Sequence, residues 1–514
     1  MKILFENFRL YDRDDIWCME IRGGVIESLS KKEHFKGRGK FSKIYDLKEN
    51  YLLPGFVDAH MHFSALVALF SAISLRECRS IEEMKERLKK DESDFVIGWG
   101  FDHELFKEKR IPTREDLDEV FKEVSIIIFR LDGHICVVNS EALKIIGIDK
   151  NTEDPEGGHI GRSPDGSPNG ILIDNAIPSK YLLENPEMMT SLAQDFFKAQ
   201  EALLSMGLTS VSDMGIDFDT LEIYRTVERA GLLKIRINAY LTEECLEAKE
   251  KIIDEMQRGK LVRVRGLKLF ADGSFGANTG ALFEEYSDDP GNTGIIRTPL
   301  GTLEDFVEQA EELGMQIAIH AIGDRGLFNA LSALSKARNK ELRHRVEHVQ
   351  LVNKNLLKMM KDLGVVAVIQ PVFIKSDSPW AESRLGKERV NYAYPLKSLI
   401  DHNIRVAGSS DCPVETQDPF LGIYFSSSDK DLDGNELPMW AKKERISIED
   451  AITIFTEGAA YALHENKGKI EKGMLADFVV LPENPAIIGV EKIKDLKILK
   501  TFVGGELVYN SGGN

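Results

Sequence analysis

Short apolar runs alternate with amphipathic stretches along most of this chain. Eight strand-like runs stand out: Gly55–His62, Thr209–Met214, Ile235–Tyr240, Val264–Phe270, Gln316–His320, Arg345–Val349, Val365–Gln370 and Arg405–Ser409. Segments with helical period, such as Thr302–Leu313, separate many of them. Eight strand–helix units fit the parallel (β/α)8, or TIM-barrel, arrangement of the α/β class; a doubly wound open sheet is the alternative.

The two ends of the chain follow a different pattern. Near the start, Ile16–Ile21, a Gly23-Gly24 turn and Val25–Leu29 alternate as short strands; near the end, Ala476–Leu481, Lys500–Val503, Gly504-Gly505 and Glu506–Tyr509 do the same. Each end alone offers little core, so one small β-sandwich domain built from 1–54 plus 465–514 is expected, with the barrel over 55–464. The spacing is uneven in one place. About 145 residues separate the first run from the second, against about 25–55 later. The excess, at about 75–190, predicts an insertion after barrel strand 1 that contains Asp91–Phe101, Ile126–Asp132 and the Gly/Pro/Asp-rich Asp154–Gly170. An insertion there lies at the C-terminal mouth, where it can serve as a lid or substrate wall.

Composition narrows the setting. The 514 residues suffice for one large domain and a smaller one, and 43% apolar with 29% charged residues is ordinary for a globular protein. A net charge of −18 argues against nucleic acid or an anionic membrane as the main partner. No apolar run approaches the ~20 residues that span a bilayer, and Met1–Asn7 lacks a signal-peptide layout. Five scattered cysteines, none in a C-x-x-C spacing, suit free thiols in a reducing cytoplasm. The expected setting is cytoplasmic, with a small-molecule substrate; a homodimer is expected from general frequency alone.

The chemistry is carried by where the histidines fall. His60 and His62 are two apart on one run and share a face; His320 ends the fifth run, His348 lies near the end of the sixth, and Asp411 follows the eighth. Lys268 is near the end of the fourth. In a parallel barrel these strand ends converge on one mouth. Four imidazoles and a carboxylate suit zinc or a similar divalent ion, although a lone buried histidine is more often a hydrogen-bonded core residue.

The motifs Pro54-Gly-Phe-Val-Asp-Ala-His-Met-His62, Lys268-Leu-Phe-Ala-Asp-Gly-Ser274, His320-Ala-Ile-Gly-Asp324, Glu347-His348, Gly408-Ser-Ser-Asp-Cys-Pro413 and Gly468-Lys-Ile-Glu-Lys-Gly-Met-Leu-Ala-Asp-Phe-Val-Val480 together resemble the amidohydrolase superfamily. Within it they resemble the branch of N-substituted formamide deformylases. Gly408-Ser-Ser-Asp411 has one serine more than the common Gly-Ser-Asp form, which leaves Asp411 itself in place. The resemblance implies that His60, His62 and Asp411 hold one metal and His320 and His348 a second, with Lys268 bridging both as a carboxylated lysine. Taken by itself, Lys268 could instead pair a carboxylate, leaving a mononuclear site. One or two ions would lower the pKa of water toward ~7, with Asp411 moving the proton to the leaving amine.

Second-tier residues follow from the same likeness. His134, in Leu131–Asn139, is either a substrate contact or a structural histidine capped by Asp132; Trp99 resembles a pocket-lining aromatic but suits a core equally. Asp272, Ser274 and Asp324 either orient ligands or cap helices, and Cys412 is expected to pack. The expected activity is hydrolysis of an amide-type C–N bond in a formamide, N-acyl or cyclic amide. The alternatives are ester or lactone hydrolysis at the same site, or a non-catalytic metal-binding barrel.

Overall fold

A computed structural model describes residues 2–37, 40–70, 72–90, 95–131, 133–155, 157–178 and 186–512. Its centre is a sheet of eight parallel strands: β1 Phe56–Met61, β2 Leu208–Ile216, β3 Arg236–Leu241, β4 Val262–Phe270, β5 Gln316–Ala321, β6 Arg345–His348, β7 Val366–Ile369 and β8 Arg405–Gly408. Each strand pairs with the next in sequence order. All eight coincide with the apolar runs, because strands covered on both faces are apolar throughout rather than alternating; every residue of β1, β3, β5, β6 and β7 is buried.

The sheet is a nearly closed barrel. Just beyond β8, the Asp411 amide donates to His60 O (2.8 Å) and the His62 amide to Cys412 O (2.7 Å), joining the last strand's end to the first. The register between β1 and β2 slips opposite Asp58–Met61, beside His60; such irregularities re-aim side chains next to sites. Several outer helices bury a single stripe. Lys354–Leu363, for example, buries Leu356, Leu357 and Met360; its first turn is capped by the Asn353 side chain, and Gly364 ends it at φ +72°.

Both chain ends contribute to one eight-stranded sheet. Lys2–Leu10, Arg13–Arg22, Val25–Lys31, Lys43–Asp46 and Tyr51–Pro54 join Phe478–Leu481, Lys500–Val503 and Glu506–Asn510. Its core is aromatic: Phe5 meets Phe478 and Phe502 edge-on, with ring centres 5.0 and 4.9 Å away.

A buried ionic knot fastens this sheet to the barrel. The Asp477 carboxylate accepts from Arg236 Nε (2.7 Å), Lys467 Nζ (2.9 Å) and the Gly504 amide (2.7 Å), and Lys467 also reaches Ser210 Oγ (3.0 Å). Burial alone would raise the Asp477 pKa, but Lys467 and Arg236 outweigh it and hold the carboxyl well below its usual range.

Between β1 and β2 the chain forms a separate six-stranded sheet. Its order is Gly158–Arg162, Pro168–Asp174, Ile135–Val138, Ser125–Arg130, Phe95–Phe101 and Ile73–Ser74. Leu75, Met84, Val96, Ile126 and Val137 give it a core of its own. Among the described residues no helix is long and apolar enough to cross a membrane.

Replacing Asp477 with Ala strands two buried cations without their counter-charge. The expected loss is about 3–5 kcal/mol of stability, read as a lowered denaturant midpoint; an unchanged midpoint would show that the knot does not hold the terminal sheet.

Candidate metal centre

The strand ends bring His60, His62, Lys268, His320, His348 and Asp411 to the barrel's C-terminal mouth. The Nε2 atoms of His60 and His62 stand 3.2 and 3.3 Å from Asp411 Oδ1. These three ligand atoms lie within 4.8 Å of one another. Asp411 Oδ1 is buried and makes no hydrogen bond, although two imidazole nitrogens are aimed at it. A buried carboxylate oxygen facing two such nitrogens fits a divalent cation.

Each imidazole is oriented by what its other nitrogen meets. His60 Nδ1 lies 2.5 Å from Glu347 Oε2, and His62 Nδ1 lies 3.0 Å from Met214 O. His320 Nε2 lies 3.0 Å from Gly273 O, and His348 Nδ1 lies 2.9 Å from Gln370 Oε1. Facing an acceptor, each of these nitrogens is the one that carries the proton, so the opposite nitrogen keeps a lone pair available to a cation. The rings of His320 and His348 are 4.4 Å apart, and His348 is 4.9 Å from His60.

The local field favours neutral bases. Burial, aided by neighbouring His348 and Lys268, pushes the His320 pKa well below the usual histidine value; burial also takes His348 down to about 3. Lys268 is 1% exposed, with Nζ 3.4 Å from His60 Nε2, and burial lowers its pKa to about 8. Burial acts to raise Asp411, yet His60, His62 and His348 hold it well below the carboxylate range.

Beneath the donors sits a pair not singled out from the sequence. Arg345 and Glu347 are both fully buried, with Arg345 Nε 2.5 Å from Glu347 Oε1 and Nη2 2.8 Å from Oε2. Arg345 Nη2 also donates to Ala59 O, and its guanidinium lies over the Tyr240 ring at 4.9 Å. Two opposite charges at period 2 inside the apolar run Arg345-Val-Glu347 were the available signal.

A cleft of about 520 Å³, including its open mouth, rises from the donors. Arg130 and His134 of the inserted sheet line it, facing Phe275, Asp377 and Trp380 of the barrel loops. The His134 ring is 5.4 Å from that of His320, and its Nδ1 is 2.5 Å from Asp174 Oδ1. The alternative cap, Asp132, lies outside the described residues. Trp99 is not among the residues lining this cleft: its ring is tilted against Phe129 at 5.3 Å, and its Nε1 donates to Pro413 O at 3.0 Å.

The remaining second-tier residues brace loops. Asp272 accepts from the Ala281, Ile322 and Gly323 amides at 2.9, 2.9 and 2.7 Å, while burial raises its pKa to about 7. Ser274 Oγ accepts from the Ala277 amide and lines the cleft, and Asp324 begins the helix after β5. The Cys412 thiol is buried and pushed far above its ordinary pKa by that burial, a packed thiol rather than a nucleophile.

A parallel barrel with this donor cluster at its mouth defines the class of metal-dependent barrel hydrolases. The chain belongs to the amidohydrolase family, whose model matches residues 43–509. The putative amidohydrolase YtcJ of Bacillus subtilis (strain 168) is 31% identical over 97% of each chain. N-substituted formamide deformylase of Arthrobacter pascens is 25% identical over 96% of this chain and 95% of its own. The crystal structure of an uncharacterized metal-dependent hydrolase from Pyrococcus horikoshii OT3 superposes with a TM-score of 0.79, at 28% identity, over 95% of this chain and 99% of that one. These findings bear out the resemblance drawn from the motifs.

Glu347→Gln keeps the shape but removes the charge that neutralises Arg345 and orients His60. Metal affinity is expected to fall about 10–100-fold, measured by competition with a chelator. Wild-type affinity in a folded variant would remove Glu347 from the site.

Proposed function

We propose that this protein hydrolyses an amide-type C–N bond of a small molecule, with a formamide, N-acyl amide or cyclic amide as substrate. The observation that carries the reading is the unsatisfied Asp411 Oδ1 facing His60 Nε2 and His62 Nε2 at the base of an open cleft. The likeness to N-substituted formamide deformylase supports the choice of bond.

His60, His62 and Asp411 would hold one divalent ion, zinc being the natural candidate for this donor set; His320 and His348 would hold a second, with Lys268 between the two. Such an ion, when bound, supplies Lewis acidity toward a carbonyl and lowers the pKa of water toward ~7. Asp411 takes a proton from the attacking water and delivers it to the departing amine nitrogen. The Asp411 amide, bonded to His60 O, keeps that carboxylate beside the histidines during the transfer. His134, oriented by Asp174, contacts the substrate from the inserted sheet.

The buried amine of Lys268, with a pKa near 8, supports carboxylation. Its lone pair adds to CO₂ and releases one proton, giving an anionic carbamate with two oxygens in place of a cation. The site then carries the negative charge that two divalent ions require.

Two outcomes are expected. Asp411→Asn retains most of its metal while turnover is lost across a panel of N-formyl, N-acyl and cyclic amides; undiminished turnover would remove Asp411 from the mechanism. The same panel with esters and lactones added assigns the bond, and full hydrolysis by chelated protein would end the metal reading.

The second outcome concerns pH. Reactivation of the metal-free protein by metal at a fixed concentration of dissolved CO₂ should slow as pH falls below about 8, because the amine must be neutral to add. Below that point the rate drops about tenfold per pH unit. A rate independent of CO₂ and pH, or Lys268→Met with wild-type activity, would leave Lys268 uncarboxylated.

A further inference from the structure

We infer that the inserted sheet is a positioning device for Asp411 as well as a wall of the cleft, and that Arg76 and Trp99 are its working residues. This rests on the proposed role of Asp411. The edge strand Ile73–Ser74 runs parallel to Phe95–Phe101 with Ser74 opposite Trp99, so Arg76, just past the edge strand, and Trp99 lie at the same end of the sheet. Both point at the loop that carries Asp411. Arg76 Nη2 donates to Pro413 O (2.7 Å) and Val414 O (2.9 Å), and Trp99 Nε1 donates to Pro413 O (3.0 Å).

The geometry is built, not incidental. Gly100 has φ +91°, and a Cβ there would stand 2.7 Å from Arg76 Cγ, so the path of Arg76 across the sheet requires glycine. Arg87 Nη1 donates to Ser74 O and Arg76 O at 3.2 and 2.8 Å, fixing the backbone from which Arg76 reaches. Glu415 anchors the loop's far side, 3.3 Å from Lys375 Nζ and 3.9 Å from Arg76 Nη1.

The loop needs such support. Asp411 sits at φ +57°, in the left-handed region that is uncommon for residues with a side chain, aspartate being among those that tolerate it best. From below, β1 holds the loop through Asp411 N to His60 O and His62 N to Cys412 O. The Val414 amide folds back on Asp411 O at 2.8 Å, so Asp411 and the carbonyls that Arg76 and Trp99 grip belong to one turn. Movement of those carbonyls is therefore transmitted to the Asp411 carboxylate. The same inserted sheet carries Arg130 and His134 into the cleft, so the piece that meets substrate also steadies the proton-transfer group.

The test compares full-length Arg76→Met, Trp99→Phe and the double variant with wild type. Cobalt(II) alone is one probe, and the fastest amide of the panel above is the other. Trp99→Phe removes one donor and keeps an aromatic ring against Phe129. Expected are wild-type thermal unfolding, full cobalt stoichiometry with a changed visible absorption band and faster release to chelator, and a kcat loss of roughly 10–100-fold in the double variant with KM within about twofold. Arg76→Lys, which still offers a donor, should recover part of kcat. A double variant with wild-type kcat and cobalt spectrum would overturn the inference, as would a rise in KM with kcat unchanged. Should the double variant not fold, Trp99→Phe decides on the same readouts. Asp411→Asn run in parallel separates the two claims. If it stays active, the role of Asp411 fails; if it is dead while the clamp variants match wild type, only the clamp fails.

Discussion

Glu347 takes the charge of a fully enclosed Arg345 on one side and meets His60 Nδ1 on the other, in a place water does not reach. Taking both ions out of water costs several kcal/mol each, and their attraction offsets this only where the geometry is good and the remaining donors are satisfied. The neighbouring strands supply that satisfaction: Arg345 reaches Ala59 O on β1, and its Nη1 lies 3.1 Å from Tyr240 Oη on β3. Tyr240 in turn donates to the Gln316 side chain on β5. Four of the eight strands are thus pinned in mutual register by one ion pair, directly beneath the residues that would hold metal.

From that floor the tautomers follow. His60 Nδ1 meets a carboxylate at hydrogen-bond distance; His62, His320 and His348 meet neutral carbonyl oxygens, with the Asp272 carboxylate a further 3.6 Å contact of His320 Nε2. Lys268 Nζ lies 3.4 Å from the other nitrogen of the carboxylate-backed ring, His60 Nε2. Burial suppresses protonation of His320 and His348, so protons do not compete with a cation for them at neutral pH. Lys268 is the exception in sign, a potential cation among residues that would hold metal, and burial lowers its pKa to about 8, which weakens that conflict.

Much of this was legible in one dimension. All eight barrel strands showed as apolar runs because double-sided burial removes the need for alternation. His60, His62, His320, His348 and Asp411 stood out because each falls at the end of such a run, where a parallel barrel gathers side chains. What was not legible depends on pairings distant in sequence. The Asp174 carboxylate that meets His134 is 40 residues away across two paired strands. Trp99 bonds to Pro413, 314 residues on, and no local pattern distinguishes such a bond from a pocket wall or a core contact. Arg76 gave no signal at all, since an arginine beside an apolar run reads as an ordinary exposed charge.

That last group locates where specificity and catalysis meet in this molecule. The donors belong to the barrel, whose strands are held by paired backbones and a buried ion pair. The cleft walls belong partly to a sheet with its own core, joined to the barrel chiefly through side chains. A sheet with its own core can change its cleft-facing residues without disturbing the barrel register. Its grip on the loop after β8 then imposes one condition on such change: the edge that holds Pro413 and Val414 must stay where it is. Cleft-lining positions such as Arg130 and His134 are free to vary, while Arg76, Trp99 and Gly100 form the part of the insertion that the grip on the loop constrains.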